Sequence, residues 1–206
     1  KNNDKRVLST IDSLLSWIIE NAKEIDNKLL FELAIYLMMC SINPEAVKIG
    51  IAIIGLIDLS DKDELVKVIE KLALCDEFTL YANIALSNLP NINDIRFMLV
   101  KKVNGWGKIY LVNSLKNENE SINEWLITNG CDNEIALGYL SYEVAEKIDL
   151  LKVLKRADLS DEEFKDIVDL IASDFELITA PGAKKGELEH AFLKLTNEQM
   201  GLLDYI

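Results

Sequence analysis

Signals that start a helix recur along this chain at a nearly constant interval, and that cadence constrains the fold more than any other feature. Asn43 precedes Pro44, a capping residue followed by proline at the first helical position, where the missing N–H has no partner to lose. Ser60 (with Asp63 three residues on), Asp76, Asn91 or Asn93, Ser121 and Ser160 continue the series. Ser121-Ile122-Asn123-Glu124 and Ser160-Asp161-Glu162-Glu163 match the capping box, in which the acid bonds back to the amide of the cap residue. Over most of the chain successive starts lie roughly 15 to 17 residues apart, so a helix pair recurs about every 32 residues, inside the range of solenoid repeats.

Between the starts, apolar residues follow the helical period. Val7, Leu8, Ile11, Leu14, Leu15, Ile18, Ile19 and Ala22 fall on one stripe. So do Leu65, Ile69 and Leu72, and again Phe164, Ile167, Val168 and Ile171. Segments 29–40 and 47–57 are apolar nearly all round, which predicts middle-layer helices covered on more than one side. Ile49 to Ile54 alone could pass for a buried strand, but the Asn43-Pro44 start favours a helix. Further helices are expected over 105–115, 122–128, 133–148, 150–157 and 161–173. The strongest break follows over 175–186, which contains Ala180-Pro181-Gly182, and a last amphipathic piece is expected over 188–195. The expected organisation is all-α, a solenoid of stacked antiparallel hairpins in one domain over 1–206. Within it, 4–174 form the regular stack, and 175–206 form an irregular loop and terminal capping helices. The opening without an initiator Met reads as a fragment of a longer protein.

Composition excludes more than it identifies. Half of the residues are hydrophobic, so a core is available, while 9 Gly and 3 Pro are too few for a turn-rich β protein. Thirty-five acids against 22 bases leave a net charge of −13. No basic stripe is present to displace counterions from phosphate, which argues against nucleic-acid partners and anionic membrane surfaces. The apolar run 49–57 falls well short of the roughly 18 residues that a membrane span needs. Cys40, Cys75 and Cys131 are odd in number and far apart, which suits reduced, buried thiols and a cytoplasmic setting.

Chemistry finds little purchase. His190 is the one histidine, so neither a zinc site nor a Ser–His or Cys–His pair is indicated. Gly182-Ala183-Lys184-Lys185-Gly186 lacks the spacing of a phosphate loop and reads as a flexible connection. Acid pairs such as Glu162-Glu163 fall in first turns, where they complement the helix dipole. No catalytic residue, metal, cofactor or small-molecule substrate is expected.

The most informative stretch is 104–142. It contains Gly105-Trp106-Gly107-Lys108, then Ile122-Asn123-Glu124-Trp125-Leu126-Ile127, Gly130-Cys131-Asp132-Asn133-Glu134 and Tyr139-Leu140. Glycines on both sides of Trp106 permit a tight turn and close backbone approach. Gly130 stands where a helix C-cap takes positive φ, and Asp132 or Asn133 would cap the next helix. This cadence resembles the HEAT-like (armadillo-type) repeats of uncharacterised bacterial proteins, in their Gly-Trp-Gly-basic start and their Trp-Leu-x-x-x-Gly-x-x-Asn step. The resemblance implies an α-solenoid whose concave face binds proteins. Large aromatics at helical spacing serve either as core between repeats or as anchors lining a groove. On the second reading Trp106, Trp125, Asn133, Glu134, Tyr139 and Tyr142 are partner-binding candidates.

The expected function is therefore a non-enzymatic interaction or scaffold module, with acidic faces that suit a neutral to basic protein partner. One alternative is a structural segment that packs on another domain of its own chain and exposes a large apolar patch when isolated. Another is a DNA-repair enzyme of the HEAT-like class, with Trp106, Trp125 and Asp132 in its groove. Net charge opposes that one.

Overall fold

A computed structural model describes residues 4–156, 159–173 and 185–203. Among the described residues the chain is all-helical, with twelve α-helices, one 3-10 turn and no strand. Contacts divide the chain into two compact units, Lys1–Leu111 and Val112–Ile206.

The first unit holds α1 (Asp4–Glu20), α2 (Asn27–Cys40), α3 (Pro44–Ile54), α4 (Asp63–Leu72), α5 (Asp76–Ala85), α6 (Ile92–Val100) and the start of α7 (Gly105–Ser114). Asn43 caps α3 as its sequence predicts: its side-chain oxygen accepts from the Glu45 amide at 3.0 Å, with Pro44 at the first position. The other expected start of this kind differs. Lys62, not Ser60, precedes α4, and Asp58 holds the Ser60 amide and hydroxyl in a turn of its own.

α3 is the centre of this unit and is packed by α1, α2 and α5. Val47, Gly50, Ile51, Ile53 and Ile54 are buried on it. The 49–54 stretch is therefore a buried helix and not a strand. Its contact with α2 is a backbone approach. A Cβ on Gly50 would lie 2.7 Å from the Met38 nitrogen and 2.8 Å from the Ala34 oxygen. At the other end of α3, a Cβ on Gly55 would lie 2.9 Å from the Cα of Ala85 on α5. A polar tie joins the same pair of helices. The Lys48 ammonium donates to Glu45 at 2.9 Å and to Glu77 on α5, and stands 5.7 Å from the Tyr81 ring centre. Burial works against that charge, but the hydrogen bonds to Glu77 and Glu45 outweigh it and hold the pKa above the ordinary 10.5.

α2 does not meet the expectation of cover on several sides. Only Ala34 and Met38 are buried on it, while Leu29, Leu33, Tyr36 and Met39 form an exposed stripe at helical spacing. The cysteines also depart from expectation. All three are free, but Cys40 and Cys75 are exposed and Cys131 is half-buried, because the first two sit at a helix end and at a cap position.

The second unit holds α8 (Glu120–Asn129), a 3-10 turn (Leu137–Tyr139), α9 (Ser141–Lys147), α10 (Leu150–Leu154), α11 (Asp161–Ser173) and α12 (Lys185–Leu203). The residue capping α8 is Asn119, whose side chain accepts from the Ile122 amide at 3.0 Å, so the expected Ser121 box is not the one used. The Ser160 box forms as read: the Ser160 amide donates to Glu163 at 2.9 Å and the Glu163 amide donates to the Ser160 hydroxyl at 3.2 Å. The Ser160 hydroxyl and Arg156 also donate to the Glu163 carboxylate, each at 3.0 Å. Burial would raise the Glu163 pKa, but the Ser160 and Arg156 donors outweigh it and hold the carboxyl below its ordinary 4.5. The helix expected over 133–148 starts late, at Ser141, and α10 ends at Leu154. Gly130 has φ −61°, so it is not a left-handed cap; a Cβ there would approach the Leu126 oxygen at 2.4 Å and Val144 at 3.0 Å. Most of the predicted 175–186 break lies outside the described residues. After it, α12 runs over 19 residues, well beyond the expected 188–195.

Two outcomes test this packing. Gly→Ala inside a helix ordinarily stabilises by about 0.5–1 kcal/mol. Gly186→Ala, where a Cβ meets nothing within 4 Å, should do so. Gly50→Ala should instead lose about 1–3 kcal/mol through overpacking, and urea titration of both variants reads the sign. Glu163→Ala should cost about 1 kcal/mol at neutral pH. Because the folded carboxyl titrates below its unfolded value, its contribution is present above pH 4.5 and fades as pH falls through the folded pKa. The gap between variant and wild type should therefore close in acid, as read by thermal melts across pH.

Candidate interaction surface

The segment between α8 and α9 is where local chemistry overrides the helical period. Asn133 is 1% exposed, and its amide engages four backbone groups at once. Its nitrogen donates to the carbonyls of Cys131 and Ala136, each at 2.9 Å. Its oxygen accepts from the amides of Ile135 at 2.9 Å and Ala136 at 3.0 Å. A short polar side chain that serves the backbone in this way competes with helix formation. Glu134 completes the turn with φ 62°, in the left-handed region. The next helix can begin only after the 3-10 turn, at Ser141.

The consequence is a shaped apolar loop. Ile135, Leu137, Tyr139 and Tyr142 are all exposed, the two tyrosines by 54% and 64%. Beneath them Leu140, Ser141 and Val144 are fully buried. The Ser141 hydroxyl donates to the Gly138 carbonyl at 3.3 Å, and a Cβ on Gly138 would lie 3.5 Å from the Ser173 oxygen at the end of α11. The loop is therefore anchored to α9 and α11 while its large side chains face outward. Asp132, Glu134, Glu143 and Glu146 are the charged residues of 131–146, with no base until Lys147, which pairs with Glu143 at 2.7 Å.

The six sequence-predicted residues separate into three groups. Glu134 and Tyr139 lie on this loop and Tyr142 in the first turn of α9, and all three are exposed. Asn133 does not face a partner: it is the buried pin that shapes the loop. Trp125 is half-buried on α8 of the same unit. Trp106 belongs to the first unit, where it stands exposed at the start of α7. Its corner is built by the two glycines. Gly105 takes φ 64°, and the Gly107 amide donates to the Asp76 carboxylate. A Cβ on Gly107 would strike the Thr79 hydroxyl at 2.6 Å, so the close approach read from the glycines is present.

Sequence reading missed Ile135 and Leu137, which look like the interior of a helix by period. It also missed a groove between α10 and α12 lined by Leu154, Lys155, Arg156, His190, Ala191 and Lys194 among others. Among the described residues, no group of three or more His, Cys, Asp or Glu is placed to hold a metal, and no helix is long and apolar enough to cross a membrane.

Comparison with known proteins adds no identity: no protein-family model matches the chain, and neither does any curated protein or solved structure.

Asn133→Ala should lose about 1–3 kcal/mol, since it strips hydrogen bonds from a buried site. Hydrogen exchange should show faster exchange at the Ile135 and Ala136 amides, with α11 protection little changed.

Proposed function

We propose that the chain is a protein-interaction module whose binding surface is made by Ile135, Leu137 and Tyr139 of the apolar loop with Tyr142 of the adjoining first turn of α9. One observation carries this reading. Three large exposed side chains, Ile135, Leu137 and Tyr139, sit on a loop that Asn133 pins through four hydrogen bonds, and exposed Tyr142 follows in the first turn of α9. Such a loop is ordered before a partner arrives, so less conformational entropy is lost on association. Tyrosine and flanking aliphatic side chains are the residue types that concentrate binding energy. The acids on either side of the loop favour a partner whose contacting surface is neutral to basic. The cadence of helix starts supports a HEAT-like stack as the scaffold that presents the loop, with no catalytic role.

A second reading has its own support. The stripe Leu29, Leu33, Tyr36 and Met39 on α2 is the kind of apolar face that another domain of a longer chain would cover.

Affinity capture with the purified chain separates the two. Leu137→Asp with Tyr139→Asp should abolish a specific capture that a basic-faced partner gives, while circular dichroism stays unchanged. Capture that survives those changes but is lost on Leu33→Asp with Tyr36→Asp would move the site to α2.

A further inference from the structure

Two Asn-Gly steps occur in the chain, Asn104-Gly105 and Asn129-Gly130. Asparagine is among the chemically labile residues, and a following glycine exposes it further. With no Cβ beside it, the glycine nitrogen is unshielded and can approach the asparagine side-chain carbonyl carbon. As sequence, the two steps are equivalent.

Exposure does not separate them, since both asparagines are exposed. The backbone does. Asn129 is the last residue of α8, and Gly130 continues the helical turn with φ −61° and ψ −34°. The buried Gly130 donates its amide to the Leu126 carbonyl at 3.0 Å. The Asn129 side-chain nitrogen donates to the Thr128 hydroxyl at 2.5 Å. Gly105 differs on each count. It is the first residue of α7, so its N–H lies outside the i to i−4 ladder. Its φ of 64° is a conformation that glycine reaches at little cost.

The surroundings give this step a consequence. The Asp76 carboxylate of α5 lies against Gly105, 3.1 Å from the place a Cβ would take, and accepts from the Gly107 amide. Anything that lengthens or charges the chain just before Gly105 disturbs that corner.

We propose that Asn104-Gly105 is a site of spontaneous deamidation and isomerisation in the folded protein, that Asn129 is protected, and that conversion loosens the tie between Gly107 and Asp76. The Gly105 nitrogen attacks the Asn104 Cγ. The N–Cγ bond forms, the Cγ–Nδ2 bond breaks, and ammonia leaves with the proton that Gly105 gave up. Water then opens the cyclic imide at one of its two carbonyls. Opening at Cγ gives aspartate. Opening at the main-chain carbonyl gives isoaspartate, which routes the backbone through the former side chain and adds one carbon to it. Either product adds a negative charge next to the residue that Asp76 touches.

Incubation of the full chain in warm, mildly alkaline buffer tests this, with peptide mapping by mass spectrometry over time. In the folded chain Asn104 should convert at least tenfold faster than Asn129. In urea the two should convert at similar rates, because the helix that protects Asn129 is gone. Enzymatic methylation of isoaspartyl carboxylates should label the aged folded chain. Asn104→Ser should abolish that label and leave circular dichroism unchanged. Hydrogen exchange at the Gly107 amide should be faster in the converted chain. Equal rates at the two sites in the folded chain, an Asn104 that stays intact while the chain in urea converts, or unchanged exchange at Gly107 after conversion overturns the proposal.

Discussion

None of these helices can hide its own apolar face, and every other feature of the chain follows from how each is covered. Isolated helices shorter than about 12–15 residues are marginal in water, and most of the helices here are that short, so their persistence depends on burial against neighbours. α3 is the completed case. Gly50 brings its backbone onto α2, Gly55 brings its end onto α5, and the Lys48 bridge to Glu77 adds a polar tie at the edge of the same contact. α2 is the incomplete case. One side is spent on α3, and the opposite stripe remains in solvent. The same constraint that builds the core thus marks a face where something else would fit.

The loop around Asn133 shows a different balance. There the segment has the apolar content of a helix, yet a single buried amide satisfies four backbone groups and removes the reason to continue one. Residues that would have lined a helix interface are turned outward. Order of this sort costs stability locally and offsets it by hydrogen bonding, and it leaves a surface whose conformation precedes any partner. Asn133 shapes that surface while itself buried.

Net charge and local charge point in different directions. At −13 the chain as a whole repels polyanions, and the acids flanking the Tyr139 loop agree with that sign. The lining of the α10–α12 groove gathers three bases, Lys155, Arg156 and Lys194, with one acid, Glu187. Lys155 and Arg156 are neighbours in sequence, but Lys194 and His190 join them only because α12 packs on α10. A sum over the sequence cannot register a grouping that depends on which helices touch.

Helical class was legible in the spacing of apolar residues and caps, because both express the 3.6-residue period and the unpaired amides of a helix start, which are properties of contiguous chain. Asn43-Pro44, the Ser160–Glu163 box and the glycines around Trp106 could be read for that reason. Cap identity failed where two polar residues lay close together, as with Ser121 beside Asn119, since the choice turns on which side chain reaches a free amide. Folding alone settled that α2 keeps an open stripe, that Asn133 is a buried pin while Tyr139 and Tyr142 face outward, and that distant bases share a groove. Period says that a helix has an apolar side. It carries no information on how many neighbours arrive to cover it, because that depends on contacts between segments the sequence keeps apart.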